Sequence, residues 1–297
     1  MDAVVLGQIA RDLVLRVPDA PDAGHSALVR SRREMLGGKG ANQAVGLAQL
    51  GMSVALIGVV GDDHAAAALL ARAEADRVDV SHVTRRSGAQ TALIVDVVDD
   101  HGQWRYLEHV PDEVLATERD VFAASELIRS ARSVIVQLRQ PTAAALEAAR
   151  LAHAVQARVV LDGVPTDKEL LAYANVLRAD GRETAQLAGR EIDDVEDAVE
   201  VGKALINEGI ELAVLEVPGK GNVFANRTGH EFLPLTKVPK VDTTGAGDAL
   251  VATLTWALTH GERVRAAARL AVAAAAVTTE HAGGRPHLDP AELEALA

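Results

Sequence analysis

Residues 241–258, VDTTGAGDALVATLTWAL, pass through a glycine-containing turn directly into a helical pattern. Gly245, Ala246 and Gly247 would leave backbone N–H groups without intrahelical partners, which suits a negative charge that grows during a reaction. Asp248 lies in the first helical turn, where its carboxylate could accept the proton of a substrate hydroxyl that attacks phosphorus. The segment predicts an anion hole with a general base, although the helix dipole alone also favours Asp at this position.

Residues 36–51, LGGKGANQAVGLAQLG, form a second glycine-rich segment that leads into a helical pattern. It is not a P-loop, because that motif requires Ser or Thr after the lysine and here glycine follows Lys39. Gly37 and Gly38 permit close approach of a ligand to the backbone, and the amide of Asn42 can both donate and accept hydrogen bonds. These features suit a polyhydroxylated ligand or an anion; the alternative is a tight turn with a solvated lysine.

Short β-branched runs alternate along the chain with longer alanine-rich helical patterns. The runs cover residues 4–6, 54–59, 134–138, 159–161 and 212–217. This alternation predicts a parallel sheet that is covered by helices on both faces. Residues 13–35 and 91–109, approximately, instead alternate apolar and polar positions around turns, so we predict antiparallel ribbons that form a small β lid. We find no dividing linker, and therefore expect a single domain over residues 1–297.

Composition limits the classes of partner. A formal net charge of -12 argues against nucleic acid as a ligand, because phosphate backbones are bound by clustered basic residues. No apolar run approaches the length that spans a membrane, and no signal-peptide pattern begins the chain. The absence of cysteine and of paired histidine spacing argues against disulfides and catalytic zinc. We therefore expect a cytoplasmic protein that binds a small molecule.

The two glycine segments, in this order, resemble the signature motifs of the ribokinase (PfkB) family of carbohydrate kinases. Further matches are GxIxxD at residues 7–12, GDD at 61–63, QTAL at 90–93 and PGKG at 218–221. The resemblance covers essentially the whole chain. It implies transfer of the γ-phosphoryl group of ATP, with Mg²⁺, to a hydroxymethyl group of a sugar. It also implies the ribokinase-like three-layer α/β fold, with a mostly parallel central sheet flanked by helices and a small β lid.

The resemblance also implies roles for individual residues. The catalytic base falls on Asp248, and the anion hole on Gly245, Ala246 and Gly247. Substrate contacts fall on Asp12, Gly37, Gly38, Lys39 and Asn42, with Arg139 added by its position after a central strand. Nucleotide contacts fall on Asp180, Glu183, Gly219, Gly221 and Thr243. Mg²⁺ would be organised by Glu183 and Asp180 through water, and a monovalent cation such as K⁺ would be held by Asp242, the Thr244 carbonyl and carbonyls of residues 277–286.

Some positions depart from the family pattern. Ala10 replaces an asparagine that would reach a sugar hydroxyl, and Asp180 replaces the asparagine of NxxE. His281 stands where ribokinases usually have glycine, which weakens the transfer of the cation site. Arg139 follows Gln137 and Leu138 where ribokinases have a carboxylate, so the charge at this position is reversed. Arginine binds carboxylates and phosphates in a bidentate manner, which favours an acidic or phosphorylated sugar, unless Arg139 faces solvent or a nearby Asp.

Two classes of function therefore stay open. The first is a kinase of a sugar, with a sugar acid, sugar phosphate or nucleoside as alternative acceptors. The second is a catalytically idle sugar-binding relative, which the departures at Ala10, Arg139 and Asp180 motivate and which the intact GAGD sequence opposes. Exposed edges of the lid ribbons favour a homodimer formed through the lid.

Overall fold

The computed structural model describes residues 1–101, 103–239, 241–281 and 283–297, so that Gly102 of the predicted lid and Ala282 of the predicted cation loop lie outside the described residues. The strands are β1 (Ala3–Leu6), β2 (Ala10–Val17), β3 (Ser31–Gly37), β4 (Val54–Gly61), β5 (Val78–Asp79), β6 (Val83–Arg86), β7 (Ala92–Asp99), β8 (Trp104–His109), β9 (Ser133–Gln137), β10 (Arg158–Asp162), β11 (Val176–Ala179), β12 (Leu212–Val217), β13 (Gly221–Asn226) and β14 (Gly229–Pro234). The helices are α1 (Lys39–Gln49), α2 (His64–Ala75), α3 (Glu118–Ala123), α4 (Ser125–Arg129), α5 (Thr142–Ala154), α6 (Glu169–Tyr173), α7 (Gly181–Ala188), α8 (Val195–Asn207), α9 (Ala246–Thr259), α10 (Val264–Thr278) and α11 (Pro290–Leu296), with a short 3-10 helix at Asp112–Val114.

The central sheet has the order β14-β13-β12-β11-β10-β9-β1-β4-β5, and β6 also pairs with β4. In this order, all neighbouring strands from β12 through β11, β10, β9, β1 and β4 to β5 pair in parallel. The β12-β13 and β13-β14 pairs are antiparallel. Neighbouring residues of β1 face opposite layers: Val5 packs in a cluster with α1, α9 and α10, whereas Val4 and Leu6 pack in a cluster with α5 and α8. The predicted three-layer arrangement is confirmed.

A separate small sheet has the order β3-β2-β7-β8. Its two antiparallel ribbons, β2-β3 and β7-β8, correspond to the two segments that the alternating pattern indicated. The parallel pairing of β2 with β7, which joins the ribbons, was not part of the prediction. One face of this sheet carries Asp12 and Asp96 and lies on the carboxyl edge of the central sheet, where α9 begins.

Strands β5, β6, β11, β13 and β14 were missed by the sequence pattern. In β11, the sequence Val-Leu-Arg-Ala interrupts its apolar run with Arg178, although all four residues are buried. A buried arginine in a central strand requires a polar partner. The position of Arg178 therefore indicates a polar site at this end of the sheet rather than an apolar core.

Candidate active site

The first glycine segment brings the start of α1 against the loop that follows β1. Gly38 precedes the helix with a positive φ of 88°, which favours glycine. A Cβ atom on Gly40 would lie 2.5 Å from the carbonyl carbon of Gly7. A Cβ atom on Gly37 would lie 1.9 Å from the carboxyl group of Asp12. The glycines therefore place bare backbone directly beside Asp12.

The second glycine segment forms the start of α9. Gly245 adopts a left-handed conformation with φ of 75°, and a Cβ atom there would lie 2.0 Å from the carbonyl oxygen of Gly284. Among the described residues, the N–H group of Ala246 makes one long contact, of 3.4 Å, with the carbonyl of Thr243. Gly247 follows in the first turn, where N–H groups lack intrahelical acceptors. The turn therefore presents backbone donors at the start of α9, and the anion hole stays a prediction.

Asp248 lies in the same first turn and is 6% exposed. Its carboxylate accepts hydrogen bonds from Asn42 Nδ2 at 3.0 Å and from Gln43 Nε2 at 3.2 Å. Burial raises the pKa of Asp248 to about 6, while Lys39 opposes this shift and Asp162 adds to it. The arrangement suits a carboxylate that is ionised at neutral pH yet can take up a proton.

Asp162 ends β10 and is the buried counterion of this region. It accepts hydrogen bonds from Gln43 Nε2 at 2.8 Å and Arg178 Nη1 at 3.1 Å, and Lys39 Nζ lies 3.9 Å from its Oδ2. Burial opposes ionisation, but Lys39 and Arg178 outweigh it and hold the pKa of Asp162 below its ordinary value. Asp162 is therefore the ionised group that allows two cations to sit beside Asp248.

Arg178 lies directly behind the start of α9. It is 5% exposed, and its Nη2 would be 2.4 Å from a Cβ atom on Gly247. Its Nε has no hydrogen-bond partner in the part of the chain that the structure describes. Burial opposes its charge, but Asp162 outweighs burial and raises the pKa of Arg178 above its ordinary value. A guanidinium at the positive end of a helix is electrostatically unfavourable unless an anion binds there.

Asp180 and Glu183 begin α7 with a reciprocal capping box. The Asp180 carboxylate accepts from the Glu183 N–H group at 2.9 Å, and the Glu183 carboxylate accepts from the Asp180 N–H group at 2.9 Å. Their remaining oxygens face Lys39 Nζ, at 3.4 Å for Glu183 and 3.9 Å for Asp180. Lys39, which the resemblance assigned to the sugar, therefore lies beside the two residues assigned to the nucleotide.

The turn between β12 and β13 carries Gly219 and Gly221, and Gly219 has a positive φ of 70°. The turn lies close to the start of α7, because a Cβ atom on Gly181 would be 2.8 Å from Pro218. Thr243 is exposed, near the start of α9. The structure therefore brings the predicted nucleotide residues to the carboxyl edge of the central sheet, on the side of β11 and β12.

Asp12 lies on the buried face of the small sheet and is 6% exposed. Its Oδ1 has no hydrogen-bond partner among the described residues. Burial raises the pKa of Asp12 to about 8, with contributions from Asp248 and Asp96. The unpartnered Oδ1 atom of Asp12 is available to accept a hydrogen bond from a hydroxyl group of a ligand.

The loop before α9 contacts the small sheet. Asp242 accepts hydrogen bonds from the N–H and hydroxyl groups of Thr244, at 2.9 and 2.7 Å, and from the Gly283 N–H group at 2.8 Å. The hydroxyl of Tyr106 on β8 contacts the hydroxyl of Thr244. Burial raises the pKa of Asp96 on β7 to about 7, and the Asp242 carboxylate adds to this shift.

Within the described ranges, no cluster of three or more His, Asp or Glu side chains is arranged to hold a metal ion. Asp180 and Glu183 each use one oxygen in the capping box and face Lys39 with the other. This donor set fits a hydrated ion that phosphate oxygens bind, and does not fit direct chelation. In the same described residues, no helix is both long and apolar enough to cross a membrane.

Comparison with known proteins decides the family. Residues 1–290 match the model of the pfkB family carbohydrate kinases. The chain belongs to the PfkB family. It is therefore an ATP-dependent sugar kinase, a phosphotransferase with an alcohol acceptor, as the two glycine segments indicated.

Relatives of this PfkB kinase include ATP-dependent ribose-1-phosphate kinase of Halopiger xanaduensis, which is 34% identical over 94% of this chain and 92% of its own length. Ribokinase of Haemophilus influenzae is 28% identical over 98% of this chain and 96% of its own. A bifunctional ribokinase/ribose-5-phosphate isomerase A of Fructilactobacillus sanfranciscensis is 29% identical over 84% of this chain, which spans only 47% of that relative. The solved ribokinase of Arabidopsis thaliana, in complex with ribose and ATP, matches with a TM-score of 0.81 at 23% identity, over 99% of this chain and 98% of its own, and confirms the fold.

Arg139 of the kinase does not join the cluster around Asp248. Its side chain is 51% exposed and its Nη1 lies 3.3 Å from Glu108 on β8. The guanidinium thus faces a carboxylate, as one alternative expected, but the partner is Glu108 and not an Asp. The contact ties the end of β9 to the small sheet, and a role in substrate binding stays a prediction.

Sequence reasoning missed three buried residues of the cluster around Asp248: Gln43, Asp162 and Arg178. Gln43 adjoins Asn42 within the first segment, so helical position alone could have indicated it. Asp162 and Arg178 each stand at or near the carboxyl end of a parallel strand, where α/β proteins bind ligands, and this position was the available signal.

Proposed function

We propose that Asp248 is the general base that activates a hydroxymethyl group of a ribose-like sugar for attack on the γ-phosphorus of ATP. The supporting observation is the position of its carboxylate, which is buried between the amide of Asn42 and the donors at the start of α9. The proton passes from the sugar hydroxyl to Asp248, the new O–P bond forms, and the bond to the bridging oxygen of ADP breaks.

The negative charge of the transferring phosphoryl group is met by the anion hole of Gly245, Ala246 and Gly247. Lys39 and Arg178 add two cations on the side of α7 and β11, which is where the predicted nucleotide residues lie. We therefore assign Lys39 to the phosphates rather than to the sugar. A preorganised set of donors at this point stabilises charge without reorganisation.

The nucleotide lies, on this proposal, along the turn of Gly219 and Gly221 and beside Thr243. Asp180 and Glu183 would hold Mg²⁺ through water, with phosphate oxygens as its other partners, and Lys39 would bind the phosphates directly. The ion would supply charge neutralisation on the phosphate oxygens. The single carboxylate oxygens that face Lys39 support this indirect role.

The sugar lies between the bare backbone of Gly37 and Gly38, the amide of Asn42 and the carboxylate of Asp12. The free oxygen of Asp12 supports the assignment, since a buried acceptor without a donor is a site for a ligand hydroxyl. The small sheet then acts as the lid that excludes water from the transfer.

Ribose and ribose 1-phosphate are the acceptors that the names of relatives indicate. Arg139 bears on this choice, because opening its ion pair with Glu108 would present a guanidinium to a phosphate or carboxylate. We propose ribose as the acceptor and ribose 1-phosphate as the second candidate, supported by the 34% identity with the kinase of that compound.

Three further assignments complete the proposal. K⁺ is the ion that family resemblance assigns to Asp242 and the Thr244 carbonyl, and the buried Asp242 carboxylate supports a cation there. A homodimer forms through the outer face of the small sheet, where Leu107 is 65% exposed and Leu13, Leu15 and Val95 are half-buried. The enzyme would work in the cytoplasm, where ATP is available.

The proposal is tested by ADP release across a panel of ribose, ribose 1-phosphate, other pentoses and hexoses, sugar acids and nucleosides. We expect turnover with ribose or its 1-phosphate. If Arg139 contacts a phosphate, Arg139→Gln will raise KM for ribose 1-phosphate about tenfold or more and leave KM for ribose unchanged. Absence of substrate-dependent turnover with every acceptor would contradict the sugar-kinase mechanism and favour an idle sugar-binding protein.

A further inference from the structure

Arg285 and Asp76 form an ion pair that the proposed phosphoryl transfer does not use. Both Nη atoms of Arg285 donate hydrogen bonds, one to each carboxylate oxygen of Asp76, in a bidentate arrangement. The two side chains are largely buried, with exposed fractions of 16% for Arg285 and 15% for Asp76. The pair joins positions that are 209 residues apart in the chain, and therefore fixes two distant segments relative to each other.

Asp76 is attached to the core through α2. It follows the last turn of this helix, where its backbone N–H group donates to the carbonyl of Ala73. The helix packs into the core through Ala66, Leu69 and Ala73. The helix dipole disfavours a carboxylate at the C-terminal end, and the guanidinium of Arg285 offsets this unfavourable interaction.

Arg285 belongs to residues 283–288, which we call the 283–288 loop. Gln49 of α1 holds this loop from the other side. Its Nε2 donates to the carbonyl of Pro286 at 2.9 Å, and its Oε1 accepts from the N–H group of Leu288 at 3.0 Å. The loop is therefore fastened to α1 through its backbone and to α2 through the side chain of Arg285.

Gly284, the residue before Arg285, contacts the proposed active site. A Cβ atom on Gly245 would lie 2.0 Å from the carbonyl oxygen of Gly284, and a Cβ atom on Gly284 would lie 3.1 Å from Nδ2 of Asn42. The loop thus packs against the first residue of the proposed anion hole and beside the amide that hydrogen-bonds to Asp248. Because backbone packs on backbone here, a displacement of the loop would displace these groups.

We propose that Arg285 and Asp76 are positioning residues for phosphoryl transfer, because their ion pair holds the 283–288 loop where Gly284 sets the positions of Gly245 and Asn42. The inference rests on the proposed anion hole. Without the pair, the loop keeps its bonds to Gln49 but loses its attachment to α2. Donors that are displaced by a fraction of an ångström stabilise the transferring phosphoryl group less well, because their effect depends on preorganisation.

The first test compares the initial rates of Asp76→Asn, Arg285→Gln and the double variant with ATP and ribose. The K⁺ concentration is kept constant, because the family resemblance assigns K⁺ to carbonyls of residues 277–286. We expect each single variant to lower kcat about 10- to 100-fold and to change KM for ATP less than about threefold, since the displaced donors act mainly in the transition state. The double variant should be no slower than the slower single variant, because both substitutions remove one interaction. Arg285→Lys should recover part of the rate.

Arg86→Gln is the matched control. It opens another partly buried ion pair, in which Arg86 Nη2 lies 2.7 Å from Asp120, between β6 and α3. Unfolding midpoints are measured for every variant, so that the loss of an ion pair is compared at known stability. The control should keep the kcat of the natural chain.

A binding measurement separates this inference from the proposed function. ADP with aluminium fluoride mimics the transferring phosphoryl group, and its affinity in the presence of ribose reports on the anion hole without turnover. We expect Asp76→Asn and Arg285→Gln to weaken binding of this mimic about 10- to 100-fold and to leave the affinity for ADP alone nearly unchanged.

The inference is overturned if the natural chain binds the mimic and both single variants bind it equally well. It is also overturned if the losses in kcat add in the double variant, or if Arg86→Gln loses as much kcat as Arg285→Gln. If the natural chain does not bind the mimic, the proposed anion hole fails and this inference fails with it.

Discussion

Asn42 donates a hydrogen bond of 3.0 Å from Nδ2 to Oδ2 of Asp248 and joins two segments that are 206 positions apart in the chain. The bond links the first turn of α1 to the first turn of α9. A group on the proposed sugar side thereby orients the proposed base. It also stabilises the ionised form of that base, because a donor to a carboxylate favours its charge.

The pH dependence of turnover should report this relationship. Asp248 must be ionised to accept a proton, and burial raises its pKa to about 6. We therefore expect kcat/KM for the sugar to fall about tenfold per pH unit below the pKa and to level off above it. In Asn42→Ala the acidic limb of kcat should move upward by about one pH unit, because a hydrogen bond to a charged group is lost. An unchanged limb in this variant would assign the titration to another group.

Arg178 should contribute to the transition state more than to nucleotide binding. We expect Arg178→Met to lower kcat by about 10²- to 10³-fold with a smaller change in KM for ATP, and Arg178→Lys to retain part of the rate. Because Arg178→Met leaves Asp162 without its partner, its unfolding midpoint must be measured, and Arg178→Met with Asp162→Asn provides a charge-balanced companion. Arg182→Met, an exposed arginine of the next helix, is the matched control. Equal kcat in Arg178→Met and in the control would remove Arg178 from the mechanism.

Asp12 should favour binding of the ligand while it lowers the stability of the folded state. Its folded-state pKa is raised to about 8 by burial, so the unfolded chain loses this proton first and stability declines as pH rises from about 4 to 8. Asp12→Asn should therefore increase the free energy of unfolding at pH 9 by on the order of 2 kcal/mol, with little effect at pH 4. The same variant should raise KM for the sugar. Denaturant titrations at both pH values check the stability, and lower stability of Asp12→Asn at pH 9 would contradict this account.

The outer face of the small sheet should mediate self-association. Leu107 is 65% exposed on β8, so Leu107→Glu should convert a homodimer to a monomer in sedimentation experiments. Phe122→Glu, at a comparably exposed aromatic residue that is 66% exposed on α3, should leave the dimer intact. A monomeric natural chain would contradict the homodimer. A dimer that survives Leu107→Glu would show that the interface lies on another surface.

The sequence predicted the two glycine segments because their requirement is local. Gly38 and Gly245 have positive φ values, and Gly40 contacts another backbone segment. These positions require glycine, so the two segments can be recognised from the sequence. Strands such as β4 were also predictable, because a run buried on both faces is apolar throughout.

The partners of those segments were not predictable in the same way. Asp162 and Arg178 come from adjacent parallel strands and meet only because β10 and β11 pair in register. Arg178 also prevented the prediction of β11, because a charged residue within a short apolar run indicates a loop. The position of Lys39 near Glu183 and Asp180 likewise depends on how α1 and α7 pack against each other. The spacing of residues within either segment does not indicate this packing.

The most direct measurement of the central claim is single-turnover transfer of phosphate from ATP to the sugar by Asp248→Asn, with the affinity for the sugar measured on the same sample. We predict that transfer slows by about 10²- to 10⁴-fold while the dissociation constant of the sugar changes little, because Asn keeps the shape but cannot accept the proton. Transfer at the rate of the natural chain, with the sugar bound normally, would contradict the role of Asp248 as the base.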